Sequence, residues 1–135
     1  MLTVEDLKHV KQMRRQVESC EESILRLRSA VESATASYRE TGGVKTSGTG
    51  DKIADYVGRL DELQWQRLEM IEALEVKLLE VDAWVASLPE MEGKVIRARY
   101  LEPFYGWGRI AREVGYSLDG TYKVHRRALK RLPRA

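Results

Sequence analysis

From Val10 to Tyr38 the apolar and small residues recur at alternating steps of three and four: Val10, Met13, Val17, Cys20, Ile24, Leu27, Val31, Ala34 and Tyr38. Such steps put one side chain per turn on a single stripe, with Arg, Glu and Ser elsewhere. The spacing therefore predicts a helix whose narrow seam calls for a partner helix. Thr3 and Asp6 have the spacing of a capping box, which starts this helix near the N-terminus and carries it to about Tyr38. A second seam reads Ile53, Val57, Leu60, Gln64, Arg67, Ile71, Leu74, Leu78, Val81, Val85 and Leu88, with Asp51 as the expected N-cap. Leu63 and Met70 widen it, and Gln64 and Arg67 interrupt it where polar groups of the facing helix are expected.

Between the seams, residues 40–51 (ETGGVKTSGTGD) lack any period and are rich in glycine, which predicts a flexible connector. Two helices of about 36 residues, roughly 54 Å each, joined by such a segment predict a long antiparallel, coiled-coil-like hairpin. Two single seams make little core. The exposed flank with Trp65, Leu68 and Trp84 is therefore expected to meet a second subunit, the alternative being a monomeric stalk.

The pattern changes after Leu88. Ser87, Pro89 and Glu90 signal a new helix start, with Pro in the first turn and an acid near the positive end of the dipole. This helix is expected to run to about Leu101, with Met91, Val95, Ala98 and Leu101 inward, and to end at Glu102 and Pro103. The stretch Trp107 to Leu132, WGRIAREVGYSLDGTYKVHRRALKRL, has the spacing of a helix-turn-helix. Ala111 is small where two helices would cross, and Gly115, four residues on, suits a left-handed turn. Ile110, Val114, Tyr116 and Val124 are expected to pack between the helices. Ser117 is expected to cap the second one, with Asp119 in its first turn.

Composition agrees with helices throughout. Hydrophobic residues make up 43% and charged residues 33%, with 3 Pro and 1 Phe, so the fold class expected is all-α. The domains expected are an oligomerising hairpin, 1–88, and a small three-helix DNA-binding domain, 89–135. Charge separates along the same division. Residues 1–88 hold 12 Lys and Arg against 16 Asp and Glu, whereas residues 89–135 hold 11 against 5. Cys20 stands alone, which excludes an internal disulfide and a thiolate zinc site. No apolar run approaches the roughly 18 residues of a membrane span, and MLTVEDLKHV is charged where a signal peptide is apolar. A cytoplasmic protein with no membrane partner is expected.

A helix with these features would turn Thr121, Val124, Ala128 and Leu132 inward. Ser117, Leu118, Asp119, Gly120, Tyr122, Lys123 and Arg126 would then face the major groove of double-stranded DNA. Arg127, Lys130, Arg131 and Arg134 lie further along and suit phosphates, which give salt-sensitive affinity without sequence information. Gly120 costs about 1 kcal/mol against Ala inside a helix, and either admits close approach of DNA or is neutral. The FYGW cluster at 104–107 is expected to be core. His9 and His125 lack companions at metal-ligand spacing and are expected at the surface, His125 at most against phosphate. Acid pairs such as Glu21 and Glu22, or Asp61 and Glu62, lack a nucleophile or base beside them, and GTGDK lacks the phosphate-loop spacing. No catalytic residue, metal or cofactor is expected.

The runs LPEMEGKVIRARYLEP and GWGRIAREVGYSLDGTYKVHRRALKRL, residues 88–132, resemble region 4 of the sigma-70 class of transcription factors. Together with the helical hairpin and glycine-rich segment, the layout is similar to small phage regulators of the ArpU and RinA type. That resemblance implies promoter binding and control of late-gene transcription in a bacterial host. Leu118, Asp119 and Gly120 stand where sigma factors place Arg and Glu, so the likeness does not extend to a shared promoter element. The expectation is a sequence-specific regulator acting as a homo-oligomer, with RNA polymerase as a further candidate contact. The alternative is a small-terminase-like packaging protein that holds phage DNA as a ring.

Overall fold

The computed structural model describes residues 1–40, 42, 49–102 and 106–133, and every regular element among them is helical. The helices are α1 (Val4–Glu40), α2 (Thr49–Ala86), α3 (Glu90–Ile96), α4 (Trp107–Val114) and α5 (Leu118–Lys130). α3 continues into a π-helical turn over Arg97–Leu101. Among the described residues there is no strand, and no helix is long and apolar enough to cross a membrane. Packing groups Met1–Arg14 with Ala73–Ala135 in one unit and Arg15–Glu72 in another. This grouping cuts across α1 and α2, whereas the sequence expectation was a division at Leu88.

In the first unit the chain enters α1 through a reciprocal cap. The Thr3 backbone N–H donates to Asp6 Oδ2 at 2.9 Å, and the Asp6 N–H donates to Thr3 Oγ1 at 3.2 Å. Lys77 adds a bond to Asp6 Oδ1 at 3.3 Å. The Thr3 N–H, opposed by partial desolvation and aided by Lys77, holds the Asp6 carboxyl below its ordinary value. One turn on, Leu7 and Val10 join Leu2, Val81, Val85, Leu88, Ile96, Tyr100, Leu101, Ala128 and Leu132 in one apolar cluster. Burying each of the larger aliphatic side chains contributes about 1.5–3 kcal/mol. The seam of α1 thus begins earlier than the periodicity from Val10 indicated. Trp84, expected on an outer flank, is half-buried against this cluster.

Pro89 occupies the N-cap of α3 itself, one position before the first turn expected of it, and its carbonyl accepts from Gly93 N–H at 2.9 Å. Val95, Ala98 and Leu101 are buried as expected, and so are Ile96 and Tyr100. Ile96 and Tyr100 continue a line of four-residue steps from Leu88 through Glu92. In the π-helical turn one extra residue per turn rotates the register so that the neighbours Tyr100 and Leu101 are both buried. The turn ends with orphan carbonyls, and the Arg14 guanidinium donates to one of them, that of Leu101. The helical path ends at Leu101 with Glu102 extended, as expected, and Pro103 lies outside the described residues.

In the second unit Val17, Cys20 and Ile24 are the buried apolar residues of α1, with Leu27, Val31, Ala34 and Tyr38 half-buried behind them. On α2, Ile53, Leu60, Gln64, Arg67 and Ile71 are half-buried, and so are Leu63 and Met70. Val57, placed in the seam by its spacing, is 43% exposed, while its neighbour Tyr56 is half-buried. Cys20 Sγ donates to the Leu63 carbonyl at 3.3 Å, and Arg67 Nε donates to Glu21 Oε1 at 3.2 Å. The Arg67 pair is the polar partnership that the interrupted seam called for. These contacts are compatible with antiparallel pairing of α1 and α2. α2 begins at Thr49, so Asp51 lies in the first turn instead of capping it. Most of the glycine-rich connector lies outside the described residues.

Candidate functional site

α4 and α5 meet through a turn that the sequence dictates residue by residue. Gly115 closes α4 at φ 75° and ψ 22°, the left-handed region in which a Cβ is strained. The N–H groups of Gly115 and Tyr116 both donate to the Ala111 carbonyl, at 3.0 and 3.1 Å. Ala111 and Ile110 are buried, consistent with a close helix crossing. Ser117, extended at φ −66° and ψ 161°, then starts α5, and its Oγ accepts from the Gly120 N–H at 3.0 Å. A Cβ on Gly120 would lie 3.1 Å from that same Oγ. The N-cap itself thus supplies a reason for glycine here, which spacing alone had left between DNA approach and neutrality.

α5 is divided cleanly between two faces. Thr121, Val124 and Ala128 are buried, and Leu132 continues their line beyond the helix. Thr121 is polar yet fully buried, because its Oγ1 donates to the Ser117 carbonyl at 2.9 Å. On the other face Ser117, Asp119, Lys123, Arg126, Arg127, Lys130 and Arg131 are exposed, and Leu118 is 46% exposed. Gly120 and Tyr122 are half-buried. Tyr116, expected between the helices, is 45% exposed, because the left-handed turn leaves it on the outside of the bend. Arg134, Phe104 and Tyr105 lie outside the described residues, and Trp107 is half-buried.

The cations on this face are not equivalent. Lys123 Nζ lies 3.2 Å from Asp119 Oδ2, one turn away on an exposed surface, where such a pair contributes only a few tenths of a kcal/mol and exchanges readily. Arg131 Nε donates to Glu92 Oε2 at 2.6 Å, and that carboxylate on α3 is 7% exposed. Arg131 therefore ties the end of α5 to α3. Arg126, Arg127 and Lys130 project without such anchors and, with Lys123, line one shallow depression.

Behind the face lies an aromatic cluster that the spacing did not reveal. His125, expected at the surface, is half-buried and shares a 2.7 Å hydrogen bond with the Tyr100 hydroxyl. The Trp107 ring meets His125 edge-on at 4.8 Å and Tyr122 at 5.0 Å, and the Arg99 guanidinium lies 4.6 Å over Trp107. Burial, with the Arg99 charge adding to it, lowers the His125 pKa below its usual value, and burial raises that of Tyr100. Both groups are neutral near pH 7, so His125 supports the helix from behind and adds no charge to its face. No family model, curated protein or solved structure matches this chain.

Glu92 and Tyr100 are the residues that sequence reasoning missed. The signal for Glu92 was present: it lies four residues after Leu88 and four before Ile96, on the inward stripe of α3. Tyr100 continues the same line, four residues after Ile96, so its signal was present as well. His9 is exposed on α1. Among the described residues no cluster of three or more His, Cys, Asp or Glu is placed to hold a metal ion.

Proposed function

We propose that this chain is a sequence-specific double-stranded DNA-binding regulator of transcription, with α4 and α5 forming a helix-turn-helix and α5 as its recognition helix. The reading rests above all on α5, whose apolar stripe is fully used in packing while its opposite face presents four cations around one depression. A helix of 13 residues, about 20 Å long, fits the width and depth of the major groove when docked by its N-terminal half. Leu118, Asp119, Gly120, Lys123 and Arg126 would approach base edges there, with Tyr122 braced against Trp107 behind them. Arg127 and Lys130 would meet phosphates, and Arg131 would reach one while still held by Glu92.

On this reading residues 89–135 carry the DNA-binding function and the α1–α2 hairpin within 1–88 joins copies of the chain, so that two α5 helices read two half-sites. The protein would act in the cytoplasm of a bacterial host, as phage-encoded regulators do, without catalysis of its own. Direct contact with RNA polymerase would add to DNA binding without replacing it. The test is enrichment of random duplexes on the purified chain, followed by anisotropy titration of the selected site against scrambled DNA. A recovered motif with salt-dependent affinity is expected; failure to bind any duplex at low ionic strength overturns the reading.

A packaging role of the small-terminase kind is the second reading, favoured by the exposed apolar side chains of the hairpin, which suit assembly. Mass measurement separates the two. A dimer or tetramer goes with regulation, and a closed ring of about eight or more subunits with packaging.

A further inference from the structure

Among the described residues from α3 to the end of α5, two large apolar side chains stand open to solvent: Tyr116 at 45% and Leu118 at 46%. Packing accounts for the other apolar residues of α5. Val124 and Ala128 are buried, Tyr122 rests on Trp107, and Leu129 is half-buried against the main cluster. Tyr116 lies on the outside of the bend, whereas Leu118 opens α5 itself, directly after the Ser117 N-cap. Helical side chains lean toward the N-terminus, so Leu118 projects over the end of α5 that would enter the major groove.

The polar side chains around Leu118 are engaged within the helix. Ser117 Oγ accepts from the Gly120 N–H at 3.0 Å, and Thr121 Oγ1 donates to the Ser117 carbonyl at 2.9 Å. Asp119, the one charged residue of the first turn, has Lys123 Nζ at 3.2 Å. Gly120 adds no side chain. Arg126, Arg127 and Lys130, which have no ion-pair partner among the described residues, begin two turns beyond Leu118. The tip of α5 thus offers an apolar side chain, and its charge lies further along, where phosphates would be met. Along the major-groove edges of the four base pairs the one alkyl group is the C5-methyl of thymine. We propose that Leu118 is a specificity-determining residue that reads this methyl group, so that the recognised site carries a fixed T·A pair under the start of α5. The inference rests on the reading of α5 as a recognition helix and adds to it the identity of one base pair.

The test uses the full chain and a duplex selected from a random pool, in which each thymine in turn is replaced by deoxyuridine. That replacement keeps the base pair and removes only the methyl group. Anisotropy titration is expected to find a thymine at which the wild-type affinity falls about fourfold, the value of one covered methyl-sized group. Leu118→Ala is expected to be indifferent to uracil at that position, and Leu118→Met to regain the sensitivity. Both variants should keep the wild-type helicity in circular dichroism, since alanine and methionine are favourable in helices. A wild-type chain indifferent to uracil at every thymine overturns the inference, as does a sensitive thymine that stays sensitive in Leu118→Ala. So does a Leu118→Ala variant weakened equally on selected and random duplexes, which would make Leu118 a contact to the sugar-phosphate backbone. In each of these outcomes the chain still binds duplex DNA and the wider reading stands, whereas a chain that binds no duplex at low ionic strength overturns both.

Discussion

Replacing Gly115 by alanine isolates a backbone effect, because the space for the new methyl group is empty. No heavy atom lies within 4 Å of a Cβ built there, so the cost comes from φ at 75° alone. An L-residue in that region is disfavoured by roughly 1–2 kcal/mol, and the smaller entropy of the unfolded alanine chain returns several tenths, leaving a net loss of about 1 kcal/mol. Gly58 provides the reference. It too has nothing within 4 Å of a Cβ, but it lies inside α2, where alanine is favoured by about 0.5–1 kcal/mol. The same chemical change is thus expected to have opposite signs at the two positions. Urea unfolding followed by circular dichroism reads the difference, and Gly115→Asn should lose less than Gly115→Ala because asparagine tolerates the left-handed region. A Gly115→Ala variant as stable as the wild type would refute the turn geometry, and with it the placement of α5.

Three further outcomes follow from the site. Arg126→Ala, Arg127→Ala and Lys130→Ala should each leave stability within about 0.5 kcal/mol while weakening duplex binding, with Arg127 and Lys130 each flattening the salt slope by about one ion and Arg126 eroding discrimination between sites; anisotropy over a salt series distinguishes these effects. Arg131→Ala should destabilise more than Glu92→Gln, by about 1–3 kcal/mol, because it strands a carboxylate that is 7% exposed, whereas Arg131 without Glu92 is half in water; equal losses in denaturant melts would argue against the pair as drawn. The depressed His125 pKa means that the unfolded chain takes up this proton first, so stability should fall as pH drops from the ordinary imidazole value toward the lower folded one and level off below it. His125→Phe should shrink that dependence, as thermal melts across pH 5 to 7.5 would show.

Local chemistry with a short reach was legible from the chain. The Thr3 and Asp6 cap, the left-handed Gly115, the Ser117 cap and the inward line of Thr121, Val124 and Ala128 each follow from successive steps of three or four positions. The interrupted seam also read correctly at Arg67, since a cation on an apolar stripe needs an acid opposite, and Glu21 supplies it. What was not legible depends on register or on distant partners. That Tyr100 and its neighbour Leu101 are both buried goes with the π-helical turn at the end of α3, whereas sequence periodicity assumes a constant turn. His125 and Arg131 looked like surface cations because the groups that hold them, Tyr100 and Glu92, are 25 and 39 positions away.

That division bears on how the face of α5 performs. On the proposed reading α5 has to be held rigidly by contacts that spend none of its outward cations, and its supports come from behind and from the end. Trp107 meets both Tyr122 and His125, Tyr100 hydrogen-bonds the imidazole, and Glu92 takes Arg131, the most C-terminal of these cations. Lys123, Arg126, Arg127 and Lys130 are left around the depression with no tie stronger than the exposed Asp119 pair. If binding depends on orientation, removing a support should cost affinity with all four of these cations in place. Trp107→Ala is the direct case: duplex affinity should fall while the slope of log affinity against log salt stays the same, because the number of phosphates neutralised does not change. A slope reduced along with affinity would instead make Trp107 part of the contact surface, and the aromatic cluster a second interface and not a brace.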